Sequence, residues 1–201
     1  MVKKVNIGVI GIQGAVSEHI TSMKKALKEE NIDGNVISVK TKNQLKDIQG
    51  LIIPGGESTT ISKLIYKLGL YQEIINRAKN NDLALMGTCA GCVILADETI
   101  DDKKDIKLLK LMNISVHRNY FGSQKQSFEK EIKINGFDKA YNAVFIRAPV
   151  IEKVWGNCKI LSKMNEKIIM ARQEKTLALS FHPELADDLR IHKYFLDMIE
   201  F

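Results

Sequence analysis

The chain has 201 residues, of which 45% are hydrophobic and 27% charged. These values are typical of a soluble globular protein with one compact domain, so we expect residues 1–201 to form a single domain. No apolar stretch approaches the roughly 20 residues that cross a membrane, and the N-terminus lacks a small-residue cleavage site, so we expect a cytoplasmic protein without membrane contact. The net charge of +6 comes mostly from scattered lysines, with only five arginines. No aromatic–basic interleaving accompanies them, so we expect no nucleic-acid partner.

The first half of the chain alternates apolar runs with amphipathic ones. A buried strand is predicted over residues 4–10 and a helix from Ala15 to about Glu30, followed by the strand NVISVK and the short polar helix TKNQLKDI. The strand GLIIP precedes one or two helices that break near Gly69, and the strand LALMG leads through TCAG into a helix over CVILADE. Near-continuous apolar strands alternating with helices predict a parallel sheet covered on both faces.

The second half changes character after about residue 108. Short apolar runs follow one another with few helical signals between them: MNISVHR, SFEKEIKI, AVFIRAP, KILSKM, KIIMARQ and LALSF. This spacing predicts antiparallel strands added to or beside the parallel sheet, and a last helix is predicted over about 187–201. The predicted fold class is therefore α/β, with a mostly parallel, flavodoxin-like central sheet, helices on both faces and additional antiparallel strands in the second half.

A candidate nucleophile lies in the segment Gly87-Thr88-Cys89-Ala90-Gly91. It follows an apolar strand and opens a helix, which makes it the cysteine version of the G-x-S-x-G nucleophile elbow. A thiol at a helix N-terminus is favoured as thiolate. Cys92 completes the segment C-A-G-C, so a redox pair is an alternative, although the framing by G-T-C-A-G favours a nucleophile.

A thiol nucleophile needs a base, and the base needs an orienting group. His182 follows the strand LALSF, and Glu184 comes two residues later. In extended backbone, residues i and i+2 lie on the same side, so Glu184 can reach the imidazole. His19 and His192 fall within predicted helices, where we expect surface or packing roles.

A third feature is the loop Pro54-Gly55-Gly56-Glu57-Ser58-Thr59-Thr60 at another strand-to-helix junction. Two adjacent glycines leave backbone N–H groups that can point at a ligand oxygen, and Ser58 or Thr59 can cap the following helix. The loop is either a tight turn with a helix cap or half of an oxyanion hole formed by Gly55, Gly56 and the N–H of Ala90. In an open α/β sheet, both this loop and the cysteine loop should lie at the carboxyl ends of the strands.

The glycines after the first strand do not follow a nucleotide-binding pattern. Gly8, Gly11 and Gly14 form G-x-x-G-x-x-G rather than G-x-G-x-x-G, and no phosphate loop ending in Gly-Lys-Ser/Thr is present. We therefore predict no nucleotide or other cofactor, and the cysteine spacing predicts no metal site.

Taken together, these motifs resemble class I (triad) glutamine amidotransferases. The closer details are similar to the glutaminase subunits of pyridoxal 5′-phosphate synthase. The motifs that carry this resemblance span residues 11 to 185: GIQGAVSEH, PGGESTT, GTCAG, RNYFGSQ, FIRAP and SFHPEL.

The resemblance implies hydrolysis of L-glutamine to glutamate and ammonia. It also implies that the ammonia passes through a tunnel to a barrel-shaped synthase subunit within a large hetero-oligomer. Cys89 matches the nucleophile of the family, and His182 and Glu184 match the rest of its triad. The positions that match glutamine contacts are Gly56, Glu57, Ser58, Arg118, Ile146 and Arg147. Arg118 and Arg147 suit this role because an arginine can hold the carboxylate of glutamine.

Other functions remain open at this point. The chain could be an amidotransferase that serves nucleotide or histidine synthesis, or a non-catalytic module that docks on a partner. A cysteine peptidase or deglycase-like enzyme with a similar elbow is a third alternative, although such an enzyme would not need a histidine and a glutamate after a late strand.

Overall fold

The computed structural model of the protein describes residues 4–100, 106–118, 120 and 127–199. The strands are β1 (Val5–Ile10), β2 (Gly34–Val39), β3 (Gly50–Ile53), β4 (Ala84–Thr88), β5 (Ala96–Thr99), β6 (Met112–His117), β7 (Phe128–Ile132), β8 (Tyr141–Phe145), β9 (Val150–Val154), β10 (Lys159–Met164), β11 (Lys167–Gln173) and β12 (Thr176–Leu179). The helices are α1 (Val16–Glu29), α2 (Lys42–Lys46), α3 (Ser58–Lys67), α4 (Leu70–Lys79), α5 (Ala90–Leu95) and α6 (Arg190–Leu196). A 3₁₀ turn covers Pro183–Leu185.

The described strands form one large mixed sheet and one small sheet. The large sheet has the order β2-β1-β3-β4-β12-β11-β9-β6-β5, with β10 paired to β11. Its first five strands are mutually parallel, and β11 pairs antiparallel with β12, β10 and β9. Strands β7 and β8 form a separate antiparallel pair. This arrangement confirms the predicted α/β class.

Apolar side chains cover both faces of the parallel strands. In β3, Leu51 and Ile53 pack into one cluster, which includes apolar residues of α2, α3, α4 and α5. Ile52, between them, packs into the second cluster with apolar residues of α1 and α6. Because successive side chains of a strand point to opposite faces, a strand covered on both sides reads as a continuous apolar run.

Three predicted elements differ from the structure. The helix over CVILADE ends at Leu95, and the backbone continues as β5, which pairs with β6. The run LALSF was expected among the antiparallel strands, but β12 lies parallel to β4 and extends the parallel sheet. The last helix is shorter than predicted, spanning Arg190–Leu196.

Two predicted features extend outside the described residues. Residues 200 and 201 at the end of the predicted last helix lie outside them, and so does most of the motif RNYFGSQ. No helix in the described ranges is long and apolar enough to cross a membrane.

The sheet order brings together loops that are far apart in the sequence. Strands β1, β3, β4 and β12 are neighbours and run in the same direction. The register pairs Ile53 with Gly87 and Leu179 with Thr88. The loops that follow β3, β4 and β12 therefore begin side by side at the carboxyl edge of the sheet, where open α/β sheets bind ligands.

Candidate active site

Cys89 lies on a sharply turned backbone between β4 and α5. Its φ of 49° and ψ of −103° are rare for a residue with a side chain. A Cβ at Gly87 would lie 2.6 Å from the Gly91 carbonyl group, and a Cβ at Gly91 would overlap the carbonyl oxygen of Ile53. The turn therefore needs both flanking glycines. A hydrogen bond of 2.8 Å from the Cys89 N–H to the Leu179 carbonyl joins the turn to β12.

His182 and Glu184 approach this cysteine from the end of β12. The imidazole Nδ1 of His182 lies 2.8 Å from Oε1 of Glu184. The His182 N–H donates to the Val144 carbonyl at 2.8 Å, which fixes the loop against β8. A Cβ built on Gly55 would lie 2.5 Å from Cε1 of His182 and 3.3 Å from Cβ of Cys89. Gly55 thus contacts both residues and lets the imidazole lie beside the cysteine.

The environment of His182 favours its charged form. Burial by itself lowers the pKa of His182, but the neighbouring Cys89, together with the hydrogen bond and negative charge of Glu184, outweighs burial and raises the pKa to about 10. Burial raises the pKa of Glu184, but the pKa is lowered overall, in part by the hydrogen bond from His182 and by its positive charge. At neutral pH the pair is therefore an imidazolium and a carboxylate.

The Gly55-Gly56 loop is packed against the loop after β1. Gly56 has a φ of 152°, and Gly14 has a φ of 95°; both values favour glycine. A methyl group on Gly14 would overlap the carbonyl oxygen of Gly55. That oxygen is therefore held against Gly14, and the orientation of the Gly55-Gly56 peptide depends on this contact.

The helix cap in this loop is Glu57, not the predicted Ser58 or Thr59. The Glu57 carboxylate accepts hydrogen bonds from the N–H groups of Thr59 at 3.1 Å and Thr60 at 2.6 Å. Burial raises the pKa of Glu57, but these donors lower it to about 2. The carboxylate accepts from two backbone N–H groups at the start of α3. The glutamate side chain thus fills the capping role that serine or threonine often has.

These elements enclose a cavity of about 460 Å³. Nine of the eleven residues predicted from the sequence line it: Gly56, Glu57, Ser58, Cys89, Ala90, Arg118, Ile146, Arg147 and His182. Gly55 and Glu184 do not line the cavity. Gly55 lies against the His182 ring, and Glu184 is bound to Nδ1 of that ring. Thr59, Val93 and Pro149 also line the cavity and were missed, because ordinary helix and loop residues carry no chemical signal.

The two candidate arginines occupy different settings. Arg118 is buried, and its Nη1 lies 3.4 Å from Oγ of Ser58. Arg147 is exposed at the rim and has a left-handed backbone with a φ of 47°. Ile146 directly precedes Arg147, and its carbonyl oxygen lies 3.8 Å from Sγ of Cys89.

His19 and His192 do not have the surface role that was one of the two expectations, and their burial agrees with the other, packing. Both side chains are completely buried. Nε2 of His19 lies 3.2 Å from Oε2 of Glu184, so this residue reaches the candidate site from α1. The helical pattern places His19 on the buried face, but only the sheet order shows that Glu184 lies there.

The other two cysteines are unsuited to chemistry. Cys92 is completely buried, and burial strongly raises the pKa of its thiol. Burial raises the pKa of Cys158 to about 11. Cys89, Cys92 and Cys158 are all free thiols in the structure. Among the described residues, no group of three or more His, Cys, Asp and Glu side chains could hold a metal ion.

Comparison with known proteins identifies the family. The model of the SNO glutamine amidotransferase family matches residues 9–201. The chain belongs to this family. Subunit PdxT of pyridoxal 5′-phosphate synthase from Staphylothermus marinus is 47% identical and covers 96% of this chain and 98% of its own length. The PdxT subunits of Pyrococcus furiosus and Methanosarcina barkeri are each 45% identical over at least 96% of this chain and 97% of their own.

Solved structures agree with this assignment. A crystal structure of a glutamine amidotransferase superposes with a TM-score of 0.85 at 40% identity, covering 96% of this chain and 97% of that one. A second glutamine amidotransferase, from Thermotoga maritima, has a TM-score of 0.62 at 15% identity, covering 96% and 83% of the two chains. The second likeness is one of fold.

The buried His182 and His192 should titrate at very different pH values, because their surroundings shift their pKa values in opposite directions. We expect His182 to stay protonated at pH 8 and to lose its proton near pH 10, because Cys89 and Glu184 stabilise the imidazolium. His192 should stay neutral down to about pH 3, because burial lowers its pKa. NMR of labelled imidazole rings measures both. In Cys89→Ala the His182 midpoint should move toward its ordinary value of about 6.5.

The raised pKa of His182 also makes the stability of the folded protein depend on pH. The charged imidazole contributes stability that is complete below about pH 6.5 and is lost as pH rises through about 10. A His182 midpoint near 6.5 in the unmodified protein would contradict the proposed ion pair.

Proposed function

We propose that residues 1–201 form a single glutamine amidotransferase domain that hydrolyses L-glutamine and supplies ammonia to a pyridoxal 5′-phosphate synthase. The observation that carries this proposal is the juxtaposition of a strained cysteine elbow with a buried His182–Glu184 pair at one cavity. The family assignment and the PdxT relatives support the pathway. We place the reaction in the cytoplasm, where reducing conditions keep a thiol nucleophile active.

In the proposed first half-reaction, the Cys89 thiolate attacks the side-chain amide carbon of glutamine. A C–S bond forms and the carbonyl electrons move to oxygen, giving a tetrahedral oxyanion. The N–H groups of the Gly55-Gly56 loop and of Ala90 stabilise that charge. The C–N bond then breaks, and the His182 imidazolium gives its proton to the leaving nitrogen, which departs as ammonia.

In the second half-reaction, water hydrolyses the γ-glutamyl thioester. The now neutral His182 takes a proton from the water as it attacks, and collapse of the second tetrahedral intermediate releases glutamate and the Cys89 thiolate. Glu184 fixes the tautomer of His182 and stabilises its charged form throughout.

The proposed glutamine site uses the cavity lining. Buried Arg118 lies beside Ser58, and exposed Arg147 lies at the rim. A guanidinium binds a carboxylate through two parallel hydrogen bonds, so either arginine suits the α-carboxylate of glutamine. Glu57, which stays ionised because of its helix-cap hydrogen bonds, suits the α-ammonium group. Gly56 and the Ile146 backbone complete the wall around the side-chain amide.

The first functional prediction concerns the nucleophile. Cys89→Ala should abolish glutamine hydrolysis, because no other described cysteine reaches the cavity. Cys92→Ala is the matched control, three residues further along, and should keep most activity because its thiol only packs in the core. Glutamate release by each purified variant, together with a melting curve, tests this. An active Cys89 variant, or an inactive but folded Cys92 variant, would show that the elbow assignment is wrong.

The second prediction concerns the Gly55-Gly56 peptide. Gly14→Ala should displace the Gly55 carbonyl and misdirect the adjacent N–H, and losing one oxyanion donor costs about 10²–10³ in rate. Gly136→Ala is the matched control. Gly136 has nearly the same φ, 92° against 95°, but nothing lies within 4 Å of the added Cβ.

Both alanine variants carry similar backbone strain, so their difference isolates the contact with Gly55. The measurement is kcat for glutamine hydrolysis at equal folded fraction. Equal losses in the two variants would remove the role assigned to the loop contact.

The third prediction concerns the partner. We propose that the chain works within a large hetero-oligomer with a barrel-shaped synthase subunit, and that this subunit activates it. In the structure the Gly55 carbonyl lies against Gly14, but a peptide between two glycines can reverse its orientation if this contact opens, and only one orientation directs an N–H at the substrate oxygen. A partner that contacts one orientation better shifts the population toward it.

The hydrolysis rate should therefore rise as the isolated chain is titrated with the synthase subunit. Cys89→Ala with the same subunit serves as the blank. A rate that does not change across the titration would contradict activation by this partner, while hydrolysis itself would still establish the glutaminase.

A further inference from the structure

Besides Cys89, His182 and Glu184, a fourth polar side chain lies next to Glu184, on the side away from the cavity. His19 on α1 is completely buried, and its Nε2 lies 3.2 Å from Oε2 of Glu184 and 3.1 Å from Oγ1 of Thr88. Oε1 of the same carboxylate is taken by His182 at 2.8 Å. Oε2 has no conventional hydrogen bond to any described residue. Glu184 therefore lies between two imidazoles, one on each oxygen.

The position of the proton on His19 follows from these contacts. An ionised carboxylate only accepts hydrogen bonds, so an unprotonated Nε2 would bring a lone pair to 3.2 Å from negative charge. Nε2 must therefore carry the proton. Nδ1 has no hydrogen-bond partner within the described ranges, so a proton there would be a buried donor without an acceptor. Burial lowers the pKa of His19, Glu184 opposes this, and the positive charge of His182 adds to the lowering, so the pKa is lowered overall.

Other titratable groups surround this contact. His192 on α6 faces His19 with a ring-centroid distance of 6.0 Å, and Glu18 precedes it on α1. The Tyr141 hydroxyl on β8 donates to the Asp188 carbonyl at 3.3 Å, and burial, Asp188 and Glu184 together raise its pKa. Burial lowers the pKa of His192 to about 3, so it stays neutral beside His19. Among these neighbours, the charged group nearest the His19 N–H in the described structure is Glu184.

We infer that His19 is a positioning residue for the triad, acting through Glu184 and not on substrate. Its neutral Nε2–H lies 3.2 Å from Oε2 and attracts this oxygen electrostatically, so that Oε1 remains on Nδ1 of His182. The same N–H also lies against Thr88, the residue before the nucleophile. His19 thus ties the base and the nucleophile turn together on the side away from the cavity. This inference rests on the proposed glutaminase function.

The test compares His19→Leu, His19→Gln and His192→Leu in complex with saturating synthase subunit. We measure kcat and KM for glutamine from pH 5 to 10, with melting curves. His19→Leu should lower kcat roughly 10- to 100-fold with KM little changed, since the polar contact that stabilises the charged carboxylate of Glu184 is lost. Its acid limb should move up by about one pH unit, because an unsupported carboxylate protonates more easily.

Two further variants separate positioning from packing. In His19→Gln the side-chain amide can replace the Nε2–H, so most of kcat and the wild-type acid limb should return. His192→Leu alters an equally buried histidine that has no hydrogen bond to the triad among the described residues, and it should leave kcat and the pH profile unchanged. In a Glu184→Gln background, His19→Leu should add little, since the carboxylate is already gone.

The possible results distinguish a failure of the proposed glutaminase function from a failure of the positioning role of His19. A wild-type complex that does not hydrolyse glutamine would overturn the proposed function. A wild-type complex that is active, with an unchanged kcat and acid limb in His19→Leu, would overturn the positioning role alone. Equal losses in His19→Leu and His192→Leu, with no shift of the acid limb and no rescue by glutamine, would reduce His19 to packing and also overturn it.

Discussion

The parallel pairing of β12 with β4 is the contact on which the candidate site depends. It brings the end of β12 beside the cysteine turn, with Leu179 opposite Thr88 and the Cys89 N–H bonded to the Leu179 carbonyl. A slip of one residue would turn every side chain of β12 to the other face of the sheet. The buried faces of both strands prevent such a slip, because Leu177 and Leu179 pack in one apolar cluster and Ala178 in the other.

Close backbone approach is the second requirement of this site. Gly91 lies against the carbonyl of Ile53, Gly55 lies against His182, and Gly14 lies against the carbonyl of Gly55. In each case a single methyl group would separate two loops that must touch. The left-handed backbone of Cys89 is kept in place by this packing together with the hydrogen bond to β12. The strain is local, and the surrounding contacts are spread over four neighbouring strands.

Electrostatics then set the protonation states. A buried carboxylate is costly unless it is paired, and Glu184 has an imidazole on each oxygen. His182 is charged and His19 is neutral, since one faces the cysteine and the carboxylate while the other is enclosed beside His192 and its charged neighbour. In the proposed mechanism, this asymmetry lets His182 carry the proton of the reaction while His19 orients the carboxylate. It also explains why two histidines that read alike as helix or strand residues have different roles.

Local patterns in the sequence were sufficient to select residues that lie together in the structure. Glycines on both sides of Cys89, a histidine followed two residues later by a glutamate, and the paired glycines after β3 identified residues that the structure places in or directly behind one cavity. The α/β class could also be predicted, because short continuous apolar runs indicate buried strands whereas a 3.6-residue apolar period indicates amphipathic helices. The helix cap at Glu57 was misassigned, since serine and threonine nearby are equally good caps by pattern.

Tertiary structure alone decided how these pieces meet. The direction of β12 could not be read from LALSF, because a short apolar run looks the same in parallel and antiparallel pairing. The role of His19 was hidden for the same reason: residues 19 and 184 are brought together only by the order of strands and the packing of α1 on that face. Periodicity records which side of an element is buried, whereas the partner on that side is chosen by long-range packing of the whole chain.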